Sequence, residues 1–171
     1  MEADEAEDDD HVPANPVARV KKVAADNART RRLSDSEMKL IWTALRDPSG
    51  LKRIHEDREE PLLVSKTVRL AIELCMVTLQ RRAEVSGMQR SELDLPNKLW
   101  TIPEERAKGR VEHLVPLSDR AVALIEEALE LQKDRKKGES QSVFPSPYLD
   151  GPIGAASLSH AMADITAAVG I

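Results

Sequence analysis

Aromatic residues and cysteine are scarce in this sequence. Only 2% of its 171 residues are aromatic, so a hydrophobic core has to be built from Leu, Val, Ile, Ala and Met, which typically pack between helices. The single cysteine, Cys75, lies in an apolar run, which excludes an internal disulfide framework and indicates a core residue in a reducing compartment. We therefore expect one helix-dominated domain.

Signals for a membrane or a secreted location are also missing. No apolar stretch approaches the ~20 residues that cross a bilayer. The chain opens on acidic residues, whereas a secretion signal opens on a basic start and an apolar run. We expect a cytoplasmic protein without a membrane partner.

The sequence has no pattern typical of a metal or cofactor site. Its four histidines are scattered without metal-ligand spacing, and they have no partner cysteines. A glycine-rich loop of the kind that cradles phosphates is absent as well. We expect neither a metal nor a cofactor.

Positive charge is in deficit overall but is unevenly placed. The net charge of -5 argues against a nucleic-acid partner, yet seven of the acids lie in the first ten residues, and the remainder of the chain is close to charge balance. A basic stretch from Arg19 to Arg32 includes Lys21 and Lys22 and only one acid, Asp26. Two interpretations stay open: a solvated linker, or an arm that follows a phosphate backbone.

The chain divides into a tail and a folded domain. Residues 1–33 contain Pro13 and Pro16 and have no sustained apolar periodicity, which indicates an acidic tail followed by a basic linker. We place the folded domain at residues 34–171.

Helical signals begin directly after the linker. Ser34 and Glu37 have the spacing of a capping box, and apolar residues at helical spacing follow as far as Arg46. Pro61 suits the first turn of a longer helix that runs to about Leu79 and is apolar on more than one side, so we expect this helix to be central.

The middle of the sequence predicts strands. The short apolar runs KLWTIP and EHLVPL flank the charged segment EERAKGR, a pattern typical of a β-hairpin. Together with the helices, this hairpin predicts a mainly α fold with a small antiparallel sheet, an α+β architecture.

Three more helices complete the prediction. A short one covers Arg82–Gly87, an amphipathic one is capped by Ser118 and runs to about Gly138, and the last spans Ala155–Val169. The loop before the last helix contains Phe144, which we expect to be an apolar plug.

Basic residues stand at the transitions between these elements. Arg81 follows the central helix, Lys108 lies at the tip of the hairpin, and His113 lies on its returning strand. Arg81 could simply cap the C-terminus of the helix, where the helix dipole favours a cation. Lys108 could be an ordinary exposed lysine in a turn. We leave His113 outside the candidate site.

Four stretches follow one another in a recognisable order. The stretch TLQRRAEVSGMQRSELDL is similar to the pattern Thr-x-x-Arg-x-x-Glu-Leu. The stretch LWTIPEERAKGRVEHLVPLS contains Trp-x-Ile-Pro, Arg-x-Lys and His-x-Val-Pro-Leu-Ser. Over about residues 15 to 171 this order resembles the tyrosine recombinases, in particular phage and prophage integrases. The stretches are NPVARVKK, RLSDSEMKLIWTAL, TLQRRAEVSGMQRSELDL and LWTIPEERAKGRVEHLVPLS.

The resemblance implies a function and roles for single residues. The family cleaves and rejoins DNA strands, which implies duplex DNA and other recombinase protomers as partners. Position by position, Arg81 corresponds to the first active-site arginine, Glu84 to the acid that supports it, and Lys108 to the hairpin lysine. From their charge, we add Arg106 and Arg110 to Arg19, Lys21 and Lys22 as candidate DNA contacts.

The sequence departs from the family pattern toward its C-terminus. The family continues with a His-x-x-Arg box, a further His or Trp, and the tyrosine nucleophile, and we find no match to these. Tyr148 precedes the last predicted helix, which is the wrong order for the nucleophile. We expect a C-terminally truncated catalytic domain that is inactive alone. The alternatives are a non-catalytic DNA-binding or protein-interaction module derived from an integrase, and a helical scaffold without a nucleic-acid partner.

Overall fold

One helix packs against all the others in the part of the chain that the structure describes. The computed structural model describes residues 31–55, 57–133, 135 and 140–171. Within these ranges α2 (Lys66–Thr78) contacts every other helix, and these are α1 (Asp35–Arg46), α3 (Arg82–Ser86), α4 (Asp119–Glu130) and α5 (Ala155–Ala168). The predicted central helix is therefore confirmed, and residues Leu33–Ile171 form one compact unit. The predicted DNA contacts Arg19, Lys21 and Lys22 lie outside the described residues.

The first helix begins where its capping signal predicts. The Ser34 hydroxyl accepts a hydrogen bond from the Glu37 N–H, and the Glu37 carboxylate accepts one from the Ser34 N–H at 2.7 Å. Ile41, Ala44 and Leu45 point into the core. Both the start of α1 and its end at Arg46 agree with the sequence prediction.

The start of α2 differs from its prediction. Ser65 caps the helix by accepting from the Val68 N–H, while Pro61 is the last residue of a strand. The charged segment before it forms an antiparallel hairpin, β1 (Lys52–His55) and β2 (Arg58–Pro61). Salt bridges join the strands, with Lys52 2.7 Å from Glu59 and Arg53 3.1 Å from Glu60. The sequence did not predict this hairpin because its strands, KRIH and REEP, consist mostly of adjacent charged residues and therefore lack an apolar period.

The predicted β-hairpin is present and has a third strand. β4 (Leu99–Ile102) pairs with β5 (His113–Pro116), and a short strand, β3 (Leu93–Asp94), pairs with β4 on its other edge. A single turn of 3₁₀ helix, Arg90–Glu92, precedes β3. The side chains of Trp100 and Ile102 are fully buried, so one face of this sheet covers the core.

The amphipathic helix α4 is shorter than predicted. It starts after the Ser118 cap but ends at Glu130. After it the chain turns so that the buried Gln132 amide can donate to the main-chain oxygens of Ser142 (3.1 Å) and Val143 (2.9 Å). These bonds fix the loop in which Phe144 is fully buried, as expected.

The core confirms the fold class. It is aliphatic apart from Trp100 and Phe144, and it is shared by the helices and the three-stranded sheet. Cys75 packs partly buried against it, and burial raises the pKa of the Cys75 thiol to about 12. The described chain is mainly α with small antiparallel sheets, and none of its helices is both long and apolar enough to span a bilayer.

The turn that ends α2 is strained. Leu79 has φ 57° in the left-handed region, and its side chain is 86% exposed. We predict that Leu79→Gly raises the free energy of unfolding by about 0.5–1 kcal/mol, because glycine avoids most of the steric cost of this conformation. Urea unfolding followed by tryptophan fluorescence measures the change.

Leu79→Ala is the matched control for this prediction. It removes the exposed apolar side chain but keeps the Cβ atom, so its stability should stay close to that of the parent protein. An equal gain in the alanine and glycine variants would contradict the account, because the exposed side chain and not the backbone would then be the cause.

Candidate active site

The turn between α2 and α3 positions Arg81. Leu79 closes α2 by donating its N–H to the Cys75 carbonyl at 2.9 Å, and its left-handed conformation redirects the chain. Arg81 then precedes α3 in an extended conformation, with φ -68° and ψ 143°. The arginine therefore stands at the junction of two helices and does not continue either of them.

A buried carboxylate holds Arg81 by two bonds. The Glu84 Oε2 atom accepts from the Arg81 main-chain N–H at 3.0 Å, and Oε1 accepts from Arg81 Nη1 at 3.0 Å. The Glu84 side chain is 4% exposed, whereas that of Arg81 is 62% exposed. The carboxylate thus holds the guanidinium through Nη1 and leaves most of the Arg81 side chain open to solvent. The structure brings these two predicted residues together.

The neighbouring arginine points elsewhere. Arg82 is exposed and donates a hydrogen bond through Nη1 to the Ser159 hydroxyl, which links α3 to α5. Arg82 therefore links two helices of the fold, whereas the adjacent Arg81 is paired with Glu84.

Lys108 lies in the loop that joins β4 to β5. Its side chain is exposed, and no ion pair joins it to an acid within the described residues. The loop itself is folded by main-chain bonds. The N–H groups of Arg106 and Ala107 both donate to the Pro103 carbonyl at 3.0 Å, and the Arg110 N–H donates to the Ala107 carbonyl at 2.9 Å.

Arg106 has internal partners that the sequence analysis did not anticipate. Its Nη2 atom donates to the Glu84 main-chain oxygen at 2.7 Å, and Nη1 donates to the Gly87 main-chain oxygen. Its Nε atom lies 3.0 Å from Glu92 Oε1, and its side chain is 24% exposed. The residue predicted to contact DNA therefore ties the β4–β5 loop to α3.

Glu92 and Gly87 complete this arrangement, and sequence reasoning missed both. The Glu92 Oε2 atom accepts from Trp100 Nε1 at 3.0 Å and from the Gln89 N–H at 3.2 Å. A Cβ atom on Gly87 would lie 2.7 Å from Arg106 Nη1, so the guanidinium occupies the space of a side chain there. No local sequence signal pairs these residues, because the contacts form only when the sheet packs beside α3.

Neither the predicted DNA contact Arg110 nor His113 and Tyr148, which the sequence analysis left outside the site, takes part in the Arg81–Glu84 contact. Arg110 is exposed on the same loop as Lys108, and His113 is exposed at the start of β5. Tyr148 is 87% exposed in the loop before α5. Within the described ranges, no three histidine, cysteine or acidic side chains cluster in a way that could hold a metal ion.

Related proteins of known sequence are phage and prophage integrases. Prophage integrase IntZ of Escherichia coli strain K12 is 32% identical over 98 residues, which are 57% of this chain and 23% of that protein. The integrase of Enterobacteria phage P4 is 27% identical over 92 residues, 47% of this chain and 20% of that protein. The chain thus matches less than a quarter of the length of either relative.

Solved structures with the same fold are recombinases. The lambda integrase catalytic core aligns with a TM-score of 0.56 at 19% identity, covering 84% of this chain and 71% of that one. The XerA recombinase aligns with a TM-score of 0.56 at 18% identity, covering 84% of this chain and 45% of that one. At these identities the likeness concerns the fold.

A family-level match covers most of the folded unit. The sequence model of the phage integrase family matches residues 52–171, which include α2, α3, the three-stranded sheet and the Arg81–Glu84 pair. Because this match spans well over half of the sequence, the chain belongs to the phage integrase family of tyrosine recombinases.

Proposed function

We propose that this chain supplies the phosphate-binding side of a DNA strand-exchange active site. In this proposal Arg81 holds the phosphate under attack, Glu84 orients Arg81, and Lys108 protonates the leaving oxygen. The observation that carries it is the geometry of the Arg81–Glu84 pair, in which a buried carboxylate holds an arginine whose side chain is still 62% exposed.

The Arg81 guanidinium suits a phosphodiester in its transition state. As a nucleophile attacks the phosphorus atom, negative charge gathers on the non-bridging oxygens, and the planar fork of arginine can donate to two of them. Pre-aimed donors of this kind are worth roughly 3–4 kcal/mol each in other enzymes. Glu84 orients Arg81, because its carboxylate accepts hydrogen bonds from the Arg81 main-chain N–H and from Nη1.

Lys108 suits the proton transfer that the same step requires. When the bond from phosphorus to the 5′ oxygen breaks, the electron pair stays on that oxygen, which must gain a proton. The Lys108 ammonium, exposed on the loop between β4 and β5, can donate one, and general acids typically contribute about 10² to 10⁴ in rate. We do not assign the nucleophile to Tyr148, which lies in the loop before α5.

Duplex DNA is the partner that these charges favour. Arg81, Lys108 and Arg110 are exposed cations, and the linker residues Arg19, Lys21 and Lys22 would add to them. Other recombinase protomers are proposed partners as well, since lambda integrase has been solved as a tetramer bound to a Holliday junction, in a structure that aligns with a TM-score of 0.58.

We predict that Arg81→Ala weakens binding of the chain to a non-specific duplex. Such binding is typically in the range of about 10⁻⁴ to 10⁻⁶ M, and its logarithm falls with the logarithm of salt concentration by about 0.9 per phosphate contact. Loss of Arg81 should lower affinity by about 3- to 10-fold and reduce the salt slope by about one contact. Fluorescence anisotropy at four or more salt concentrations measures both quantities.

Arg58→Ala is the charge-matched control. It removes an exposed arginine from β2, outside the proposed site, and should change the salt slope far less. Equal losses in the two variants would count against the proposal, because Arg81 would then act only through the net charge of the protein.

We also predict that Glu84→Gln loosens Arg81. An amide cannot accept from both donors without presenting its own NH₂ to one of them, so unfolding free energy should fall by about 1–3 kcal/mol. DNA affinity should fall toward that of Arg81→Ala, with no further loss in the double variant. Glu104→Gln, which changes an exposed loop acid, is the control. Additive losses at positions 81 and 84 would contradict the orienting role.

A further inference from the structure

We propose that Arg106 is a positioning residue that fixes the β4–β5 loop against α3 and so sets where Lys108 stands relative to Arg81. This inference rests on the proposed function for the roles of Lys108 and Arg81. It replaces the simpler interpretation of Arg106 as a contact to the DNA backbone.

The Arg106 guanidinium is held from three directions. It donates to the main-chain oxygens of Glu84 and Gly87 in and beside α3, and it forms an ion pair with Glu92 before β3. A guanidinium is planar and rigid, so its two hydrogen bonds define its orientation, which a flexible ammonium would not allow. The contact with Glu92 adds charge attraction without a hydrogen bond, because Nε is not aligned for one. Little of the guanidinium remains for a phosphate, because both Nη atoms donate to main-chain oxygens and Nε lies beside Glu92. The side chain is accordingly only 24% exposed.

Glu92 is itself an anchored partner. Its side chain is 7% exposed, and its other oxygen accepts from the indole N–H of the fully buried Trp100. A carboxylate in such a place needs a positive partner, because a buried charge that loses its counterion is strongly destabilised. Arg106 is therefore tied to the core of the sheet as well as to α3.

Glu84 connects the two proposed catalytic cations. Its carboxylate holds Arg81, and its main-chain oxygen accepts from Arg106 at 2.7 Å. From Arg106 the path to Lys108 passes only through Ala107, which is 9% exposed and whose N–H is bonded to the Pro103 carbonyl. Few backbone rotations remain between the anchored guanidinium and the lysine, so the position of one constrains the other.

Gly87 provides a way to move Arg106 without changing any charge. Its φ of -89° is open to any residue, so the requirement for glycine here is space. An added Cβ atom would lie 2.7 Å from Arg106 Nη1 and 3.2 Å from the Ala83 oxygen. Gly87→Ala should therefore displace the Arg106 guanidinium without removing any ionisable group.

The first test measures the loop directly. Hydrogen–deuterium exchange of residues 103–111 should accelerate about tenfold or more in Arg106→Gln, Arg106→Lys and Gly87→Ala, while α1 and α2 exchange as in the parent protein. Arg110→Gln, which removes a charge from the same loop, should not accelerate exchange. Unchanged exchange in the Arg106 and Gly87 variants would overturn the proposal, and this readout does not depend on whether the chain acts on DNA.

The second test asks whether Arg106 acts through Lys108. Arg106→Lys keeps the charge, so it should bind duplex DNA like the parent if Arg106 contacts phosphate, and like Arg106→Gln if Arg106 positions the loop. In a Lys108→Ala background, Arg106→Gln should cause no further change in the salt slope, whereas Arg110→Gln should still lower it. A further decrease of about one contact from Arg106→Gln would overturn the proposal.

Separate outcomes distinguish this inference from the function on which it rests. If Lys108→Ala leaves DNA binding unchanged, the proposed contact of Lys108 with DNA fails, while accelerated exchange in Gly87→Ala would still assign Arg106 the anchoring of the loop. If Lys108→Ala weakens binding but loop exchange is insensitive to Arg106 and Gly87, the proposed function stands and the positioning role fails. Thermal melts identify any variant that does not fold, and Gly87→Ala and Arg106→Lys then replace Arg106→Gln.

Discussion

The carboxylate of Glu84 is buried in a place where an unpaired charge would be unstable, and the surrounding structure is arranged to satisfy it. Removal of one partner from a buried ion pair costs several kcal/mol in other proteins. Here both oxygens are used by a single residue, Arg81, through its main chain and its guanidinium. The left-handed Leu79 turn makes this possible, because it brings Arg81 to the start of α3. A strained turn, a buried acid and an exposed arginine therefore belong to one arrangement.

The same short helix also receives the sheet. The β4–β5 loop reaches α3 through Arg106, whose partners in and beside α3 are main-chain oxygens and therefore do not depend on the side chains of that helix. Both Lys108, on the loop, and Arg81, at the helix junction, are therefore positioned relative to α3. In the proposed chemistry the phosphate and the leaving oxygen lie a bond apart, so the groups that serve them need such a common frame. The proposed function would benefit from a loop that is folded before DNA arrives.

How much of this could be predicted from sequence depended on whether the signal was local. The Ser34–Glu37 capping box and the short apolar runs around β4 and β5 are local signals, and both predictions are confirmed. The prediction that Pro61 lies in the first turn of α2 was wrong, because proline is common both in a helical first turn and at the end of a strand. The end of α4 was missed because the Gln132 contacts that shape the loop after it are made across space.

For the site, residue types at family positions pointed to Arg81, Glu84 and Lys108. The internal contacts of Arg106 could not be predicted because they need the packing of the sheet beside α3, and sequence alone gives the same interpretation to every arginine near Lys108.

We propose that the two arginines joined to Glu84 have different partners, with Arg81 binding DNA and Arg106 binding the protein itself. Arginine Nε–H resonances in ¹H–¹⁵N spectra, assigned with single Arg→Lys variants, report each guanidinium separately. On titration with duplex DNA at low salt, the Arg81 resonance should shift progressively while the Arg106 resonance, held beside Glu92, stays in place. A shift at Arg106 comparable to that at Arg110, with Arg81 unperturbed, would contradict the account.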